Sequence, residues 1–476
     1  MKFAQYKKLL IYSAFTLIAL TIRFYVMVDK ESWHDEWHSI YVSNPNIELS
    51  QTMDRYWGNK GDTFLTEFYP ALYLILLKFF FNFFGYTDEI GRVFSLIFGI
   101  LTIPLSLYLF ENIAKNNKNN YYFSFALVFN LFLIWQSLEI RAHSLSTFLS
   151  LLSIVLFLRI LKKSNKTLYL FYILISLLNL SIWPITLTIY FGKIIFLLKK
   201  ILFEKKKKSL KIIIINIFFI ILFYIILNYN YLFYNINRTE HYTLLKSSFF
   251  INYHFRSFFG SIVVGGFLLV IFSYFILKNI KDIVFKNSNS NLIIYIIIST
   301  YLLTIFYSFL RAPIMSPKYV MFILPLIIIW TFTNIQNHKK KKFLNISVTL
   351  LIVLVGIFNL KNFPIKSPPT DKVLKIIVNN NGKYLFTSES DVFNNYIKTK
   401  KTFIKNKLIL IENKKKLNEL NIKEIWFICL NNPTFAVGNN NFADEKKCTE
   451  IDVPIDYKLI QFIHIKDFII KSYIKM

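Results

Sequence analysis

The sequence predicts a polytopic α-helical membrane protein that ends in a small α/β domain. Hydrophobic residues make up 55% of the 476-residue chain, and the mean hydropathy is +0.45. Apolar runs near the length that spans a bilayer recur along residues 1–360. After residue 360 these runs stop, and short apolar segments alternate with polar segments of helical length. The pattern therefore predicts a membrane domain, 1–360, and a second domain, 361–476.

Lysine-rich loops determine the predicted topology, because loops with excess positive charge lie in the cytoplasm. These loops all reach one side only if residues 70–85 form a helix on the membrane surface, which Lys78 and the bounding Pro70 and Gly85 favour. The N-terminus is then cytoplasmic, the C-terminal domain is extracytoplasmic, and the first external loop is 29–90. Eleven spans follow: 8–28, 91–111, 121–137, 141–161, 167–183, 184–199, 211–229, 258–278, 291–310, 318–335 and 343–360.

Charge and cysteine content limit the partners. The net charge is +29, but the lysines lie in short loops between spans, so nucleic acid is excluded as a partner and membrane lipids are expected. The two cysteines, Cys429 and Cys448, fall in the domain placed outside the cytoplasm, where a disulfide and two free thiols are both open. In the same domain the runs 384–386, 408–411, 425–429 and 459–463 predict strands, and 391–397 and 414–420 predict helices.

The segment Trp33-His34-Asp35-Glu36 follows the first span and opens the acidic external loop. Carboxylates beside a membrane exit are costly to bury and commonly functional. Asp35 can act as a general base, and Glu36 beside it can raise its pKa or bind a divalent cation. The alternative is an acidic cap on the first span.

Further polar residues gather on the same side. Glu67 precedes the surface helix and can either bind acceptor or stabilise the helix N-terminus. Arg92 can bind phosphate or pair with Asp88 or Glu89, and Arg141 can bind phosphate or pair with Glu139. Two further groups are candidates. Arg311, Lys318 and Tyr319 can hold either a phosphate or lipid headgroups. A sugar can be contacted by His143, Trp33, His34 and Trp57, although the aromatic residues among them equally suit an interfacial belt.

Several of these motifs occur in an order that resembles the GT-C-fold membrane glycosyltransferases, in the group of protein O-mannosyltransferases and lipid A aminoarabinose transferases. The resemblance covers about residues 1–335. It rests on Asp35-Glu36, Pro70-Ala71-Leu72-Tyr73, Arg92 with Gly99 and Leu101-Thr102-Ile103-Pro104, Glu139-Ile140-Arg141, and Lys318-Tyr319 with Pro325. Several positions depart from the family pattern. Ala71 stands for a second Pro, His143 for Tyr and Lys318 for Arg. Phe68 and Tyr69 stand where the aminoarabinose branch has Glu-Lys, and Glu67 is displaced by one.

The resemblance implies an inverting transfer of a sugar from a polyprenyl-phosphate donor to a lipid, glycan or protein acceptor of the cell envelope. Asp35 and Glu36 would be the catalytic carboxylates. Arg92, Arg141, Arg311, Lys318 and Tyr319 would bind the donor phosphate, and Glu67, Glu139, His143, Trp33, His34 and Trp57 the acceptor or sugar. The resemblance implies no certain cofactor, but a divalent cation could bind near Asp35 and Glu36.

Three other functions compete with this interpretation. An O-antigen polymerase or ligase also uses lipid-linked sugars, but its key residues usually lie in a late loop. A transporter or flippase needs polar residues at mid-bilayer and often repeated halves, which the sequence lacks. The third is a non-catalytic envelope protein, whose function would be unchanged by Asp35→Asn.

Overall fold

The structure is a computed structural model. It describes residues 2–28, 30–57, 70–114, 120–163, 165–203, 207–236, 248–286, 288–310, 314–360, 369–387, 391–400, 403, 408–411, 422–430, 456–465 and 468–476. The predicted helix 414–420 and the candidate residues Glu67, Arg311 and Cys448 lie outside these ranges. Cys429, buried in the C-terminal sheet, is disulfide-bonded.

Long apolar helices form most of the chain. Among the described residues six are long and apolar enough to cross a membrane, and a bent pair, Phe250–Phe259 with Ile262–Lys278 at 100°, raises this to seven. The six helices are α1 (Lys2–Met27), α5 (Asp88–Ile113), α8 (His143–Lys162), α11 (Lys207–Leu227), α16 (Asn289–Leu310) and α18 (Lys341–Phe358).

Shorter helices complete the membrane domain. Each of the eleven predicted spans coincides with a helix or a broken helix, but the number that cross the membrane stays a prediction. The remaining helices are α6 (Asn120–Val128), α7 (Leu131–Gln136), α9 (Lys166–Ile182), α10 (Leu187–Phe203), α12 (Tyr229–Ile236), α13 (Arg256–Phe259), α14 (Ile262–Lys278), α15 (Ile280–Phe285) and α17 (Leu324–Gln336).

The predicted span 121–137 is broken at Asn130 for a local reason. The Asn130 side chain accepts a hydrogen bond from the N–H of Leu133 at 2.9 Å and so caps α7. Its amide also donates to the carbonyl of Phe258 at 2.9 Å. The break therefore fixes α7 against α13, and α7 leads into the turn that carries Glu139 and Arg141.

Three helices form the first loop: α2 (His34–Val42), α3 (Leu49–Trp57) and α4 (Leu72–Phe84). Helix α4 is the predicted surface helix, and it ends at Gly85, whose φ of +106° favours glycine. The Lys78 ammonium donates to the carbonyls of Asn44 at 2.6 Å and Ile47 at 2.5 Å. Lys78 thereby ties α4 to the connection between α2 and α3.

The C-terminal domain combines helices α19 (Thr370–Asn379) and α20 (Asp391–Lys398) with a five-stranded sheet. The strands are β1 (Tyr384–Thr387), β2 (Ile409–Ile411), β3 (Glu424–Leu430), β4 (Tyr457–Ile465) and β5 (Phe468–Lys475), in the order β2-β1-β3-β5-β4. β1 is parallel to β2 and β3, whereas β5 is antiparallel to β3 and β4. The α/β interpretation is confirmed: β1 to β4 lie close to the four predicted runs, whereas β5 was not predicted.

Candidate functional site

The start of α2 is fixed by the buried carboxylate of Glu36. Its Oε2 accepts a hydrogen bond from the N–H of Trp33 at 3.0 Å, and its Oε1 accepts one from the N–H of Ile140 at 2.9 Å. The first bond closes a capping contact within α2, and the second joins α2 to the Glu139–Arg141 turn. Both oxygens of Glu36 are thus bonded to the main chain, and its side chain is fully buried.

Asp35, which precedes Glu36, lies close to two cations from distant parts of the sequence. The Lys318 ammonium lies 3.1 Å from Asp35 Oδ2, and an Arg141 guanidinium nitrogen lies 3.9 Å from the same oxygen. Arg141 also donates to the main-chain carbonyl of Asp35 at 3.1 Å and to the Ser39 hydroxyl at 3.3 Å. The structure therefore brings together three residues that the sequence identified separately.

Lys318 keeps its charge in this position. Burial alone disfavours the ammonium, but the Asp35 carboxylate 3.1 Å away favours the charged form. The ammonium also lies 5.1 Å from the centre of the Trp33 ring and 5.3 Å from that of Tyr319. Lys318 therefore places a positive charge beside Asp35.

A cavity of about 280 Å³ adjoins this cluster. Three of its lining residues are basic (Lys30, Arg256 and Lys318), and one, Glu139, is acidic. The other lining residues are Trp33, Phe132, Trp135, Gln136, Asn252, Tyr253, Ser257, Ser316 and Pro317. A wall that combines three cations and one carboxylate with aromatic rings suits a ligand that carries both a phosphate and an apolar or sugar part.

Two of these cations were missed by the sequence interpretation. Lys30 is buried; its ammonium donates to the carbonyl of Trp135 at 3.4 Å. Burial lowers the pKa of Lys30, although Glu36 and Glu139 act in the opposite direction. Arg256 lies in the external loop just before the predicted span 258–278, where no motif gives it a role. Their shared signal is a position at the external end of a predicted span, which equally suits an interfacial anchor.

Three aromatic side chains form a group next to Lys318. The Trp183 indole N–H donates to the carbonyl of Tyr319 at 2.8 Å. The ring of His143 meets Trp183 edge to face at 4.8 Å and lies 6.3 Å from Tyr319. These rings hold the Lys318–Tyr319 segment, and His143 is buried among them.

Arg92 has a different environment from the one expected for a donor-binding residue. It is buried, its guanidinium lies 3.4 Å from Asp88 Oδ2, and it donates to the Ser32 hydroxyl at 2.5 Å. It is absent from the residues that line the cavity. This geometry favours the alternative in which Arg92 pairs with Asp88.

The other candidates lie apart from the cavity or carry no description of their side chains. Trp57 ends α3 and packs edge to face on Tyr56 at 4.9 Å. His34 opens α2, but its side chain falls outside the described part of the chain. Over the same described residues, no three or more His, Cys, Asp and Glu side chains group in a way that could hold a metal. A divalent cation near Asp35 and Glu36 stays a prediction.

Comparisons with known proteins identify the fold. No protein-family profile matches the chain, and no curated protein matches it in sequence. Among solved structures, ArnT from Cupriavidus metallidurans in the apo state matches with a TM-score of 0.57 and 9% identity, covering 98% of both chains. The same protein bound to undecaprenyl phosphate matches with a TM-score of 0.54 and 9% identity, covering 97% of both. The expected resemblance is confirmed at the level of the fold: this chain has the GT-C fold of ArnT.

Proposed function

We propose that the protein is an inverting glycosyltransferase that moves a sugar from a polyprenyl-phosphate donor to an envelope acceptor. The observation that carries this proposal is the Asp35 carboxylate, which pairs with Lys318 and Arg141. Lys318 in turn lines a cavity together with two further cations, Lys30 and Arg256. A general base beside a set of phosphate ligands is what glycosyl transfer with a phosphate leaving group requires. The shared fold with an ArnT structure bound to undecaprenyl phosphate supports the class of donor.

The proposed reaction is a single displacement. The acceptor hydroxyl attacks the anomeric carbon while Asp35 takes the hydroxyl proton. A new bond forms between the acceptor oxygen and the anomeric carbon, and the bond from that carbon to the phosphate oxygen breaks with its electron pair. The leaving polyprenyl phosphate carries the negative charge, which Lys318, Arg256 and Lys30 stabilise.

The Asp35–Lys318 ion pair gives donor binding a direct role in activating the base. A phosphate at Lys318 competes with Asp35 for the same ammonium. Once Lys318 turns to the phosphate, the Asp35 carboxylate loses its nearest cation and is free to accept a proton. Arg141 stays bonded to the Asp35 carbonyl and Ser39, and so holds the helix in place. Donor binding would thus precede proton transfer.

Four further candidate residues receive supporting roles in this proposal. Glu36 fixes α2 through its two main-chain bonds, and Glu139 at the cavity wall contacts the acceptor. Tyr319 and His143 hold the main-chain segment that carries Lys318. The reaction takes place on the external face, with eleven spans, a cytoplasmic N-terminus and an extracytoplasmic C-terminal domain, as the lysine-rich loops indicate. The acceptor is a lipid, a glycan or a protein of that face.

The test is mass spectrometry of envelope glycolipids and glycoproteins from a deletion strain carrying wild type, Asp35→Asn or Asp282→Asn at equal expression. Asp282 is an exposed carboxylate paired with Lys286, so its variant is the matched control. We expect one sugar to be lost on deletion and restored by wild type and Asp282→Asn only. Full restoration by Asp35→Asn would refute the proposal. A change in polymer length without loss of a sugar would indicate an O-antigen polymerase or ligase instead.

A further inference from the structure

The C-terminal domain packs against a part of α2 that does not face Lys318. The Trp37 indole, which is 1% exposed, stacks on the Tyr396 ring at 5.2 Å with the planes 25° apart. It also meets the Phe393 ring at 4.9 Å. Both rings belong to α20. Helix α2 therefore lies between the cationic cluster on one side, through Asp35, and the C-terminal domain on another, through Trp37.

A buried charge cluster joins the same two domains. The Lys400 ammonium lies 2.9 Å from Asp88 Oδ2 and 3.0 Å from Asp371 Oδ1. Arg92 pairs with the same oxygen of Asp88, and the Tyr396 hydroxyl donates to it at 3.3 Å. The side chains of Lys400 and Asp88 are 5% and 2% exposed, so the contact is almost fully desolvated. Removing one partner from such a cluster leaves an uncompensated buried charge.

This cluster is bonded directly to the residues that start α2. The Tyr396 hydroxyl accepts a hydrogen bond from the N–H of Ser32 at 3.3 Å, and Arg92 donates to the Ser32 hydroxyl. Ser32 immediately precedes Trp33, the N-cap of α2. Its carbonyl accepts the indole N–H of Trp37 at 2.9 Å. The position of Ser32 is thus fixed from the membrane domain and from the C-terminal domain at once.

The C-terminal end of α2 has a second attachment. The Asn44 amide, just after the helix, donates to Asn395 Oδ1 at 3.4 Å. Asn395 in turn donates to the Tyr86 hydroxyl at 2.7 Å, and that hydroxyl donates to the carbonyl of Ile40 at 2.9 Å. The C-terminal domain therefore holds α2 at its start, its middle and its end.

We infer that the C-terminal domain positions the catalytic base, and that Tyr396 and Lys400 are the positioning residues. They act through Ser32 and Trp37 on the place of α2, and hence on the distance between Asp35 and Lys318. This inference rests on the proposed function. Neither residue lines the cavity, so their loss should impair the reaction more than donor binding. A misplacement of about 1 Å can cost roughly 100-fold in rate.

The experiment compares Lys400→Met with Lys400→Arg in the full-length protein. Lys375→Met, which removes an exposed lysine from α19 of the same domain, is the matched control. Three quantities are measured: hydrogen exchange of the α2 amides, binding of undecaprenyl phosphate in detergent, and sugar transferred in complemented cells at equal expression.

For Lys400→Met we expect exchange of the α2 amides to rise by about tenfold or more, as for a locally released element. Sugar transfer should fall by about tenfold or more, while binding of undecaprenyl phosphate changes by less than about threefold. Lys400→Arg should restore the exchange and most of the transfer, because it keeps a cation beside Asp88. Lys375→Met should match wild type in all three.

A second variant guards against simple misfolding. Tyr396→Phe keeps the stack on Trp37 but removes the hydroxyl between Ser32 and Asp88, and we expect the same pattern at smaller size. Unchanged α2 exchange in both Lys400→Met and Tyr396→Phe would overturn the inference, as would equal losses of transfer and binding in both. If the proposed function fails because Asp35→Asn is active, the exchange measurement still decides whether the domain holds α2.

Discussion

Replacing Lys318 by Met tests the electrostatic part of the proposed mechanism. The ammonium lies 3.1 Å from Asp35 Oδ2, and the two side chains are 26% and 27% exposed. At that distance two unit charges attract by about 5 kcal/mol for an effective dielectric constant of about 20. A phosphate that takes the place of Asp35 would gain a similar contact with Lys318.

Partial exposure reduces this value. Because each side chain is about a quarter open to solvent, we expect roughly half of the attraction to act on the developing charge. The loss of transition-state stabilisation is then about 2 to 3 kcal/mol, or roughly 30- to 150-fold in rate. Lys318→Arg retains the cation and should lose less than about tenfold.

The assay is the initial rate at which the sugar identified by the deletion strain reappears on its acceptor after induction of each variant. Protein amount is normalised by immunoblot, and Lys375→Met is the control. A rate for Lys318→Met within about threefold of wild type would refute the assignment of the leaving-group charge to Lys318. A large loss shared equally by Lys318→Arg would point instead to the packing of Tyr319 and Trp33 around this residue.

Two further predictions concern the carboxylates beside the site. Glu36→Gln replaces one acceptor oxygen by an amide donor that faces a main-chain N–H. We therefore expect the free energy of unfolding to fall by about 1 to 3 kcal/mol, measured as a lower melting temperature. An unchanged melting temperature would contradict this prediction. Burial, with Asp371 close by, raises the pKa of Glu31 from its usual value near 4.5 to about 7. The native state therefore favours the protonated form, and Glu31 contributes stability that is present at low pH and lost as the pH rises from about 4.5 to about 7. The stability of wild type relative to Glu31→Gln should fall by roughly 2 to 3 kcal/mol across that range in thermal unfolding, and a constant difference would contradict this prediction.

Much of the helical framework could be predicted because hydropathy alone determines which segments avoid water. The bounds of α1, α5 and α8 follow the predicted spans closely. The break at Asn130 could not be predicted in this way. It depends on a hydrogen bond to Phe258, a residue far along the chain, and an apolar run looks the same whether or not its backbone is interrupted.

The candidate site, like the helical framework, could be predicted only in part. Asp35, Arg141 and Lys318 could be found because the order of short motifs resembles a family, and the structure brings them together. Lys30 and Arg256 could not be distinguished from the interfacial lysines and arginines that end many spans. Arg92 was ambiguous for a different reason. Its partner Asp88 was visible four residues away, whereas Lys400, the second cation on Asp88, lies in another domain.

Asp35 and Glu36 show how one helix start can give adjacent carboxylates different tasks. Successive residues of a helix point about 100° apart, so the two carboxylates cannot point in the same direction. Glu36 points inward, and both of its carboxylate oxygens accept hydrogen bonds from main-chain N–H groups, which fixes α2 to the Glu139–Arg141 turn. Asp35, held on that fixed helix, has a side chain that is 27% exposed and lies 3.1 Å from the Lys318 ammonium. A base that is rigidly placed but reversibly paired stays bonded to Lys318 until a phosphate replaces it. The Lys400 variants test the placement of this base, and the Lys318 variants test its pairing.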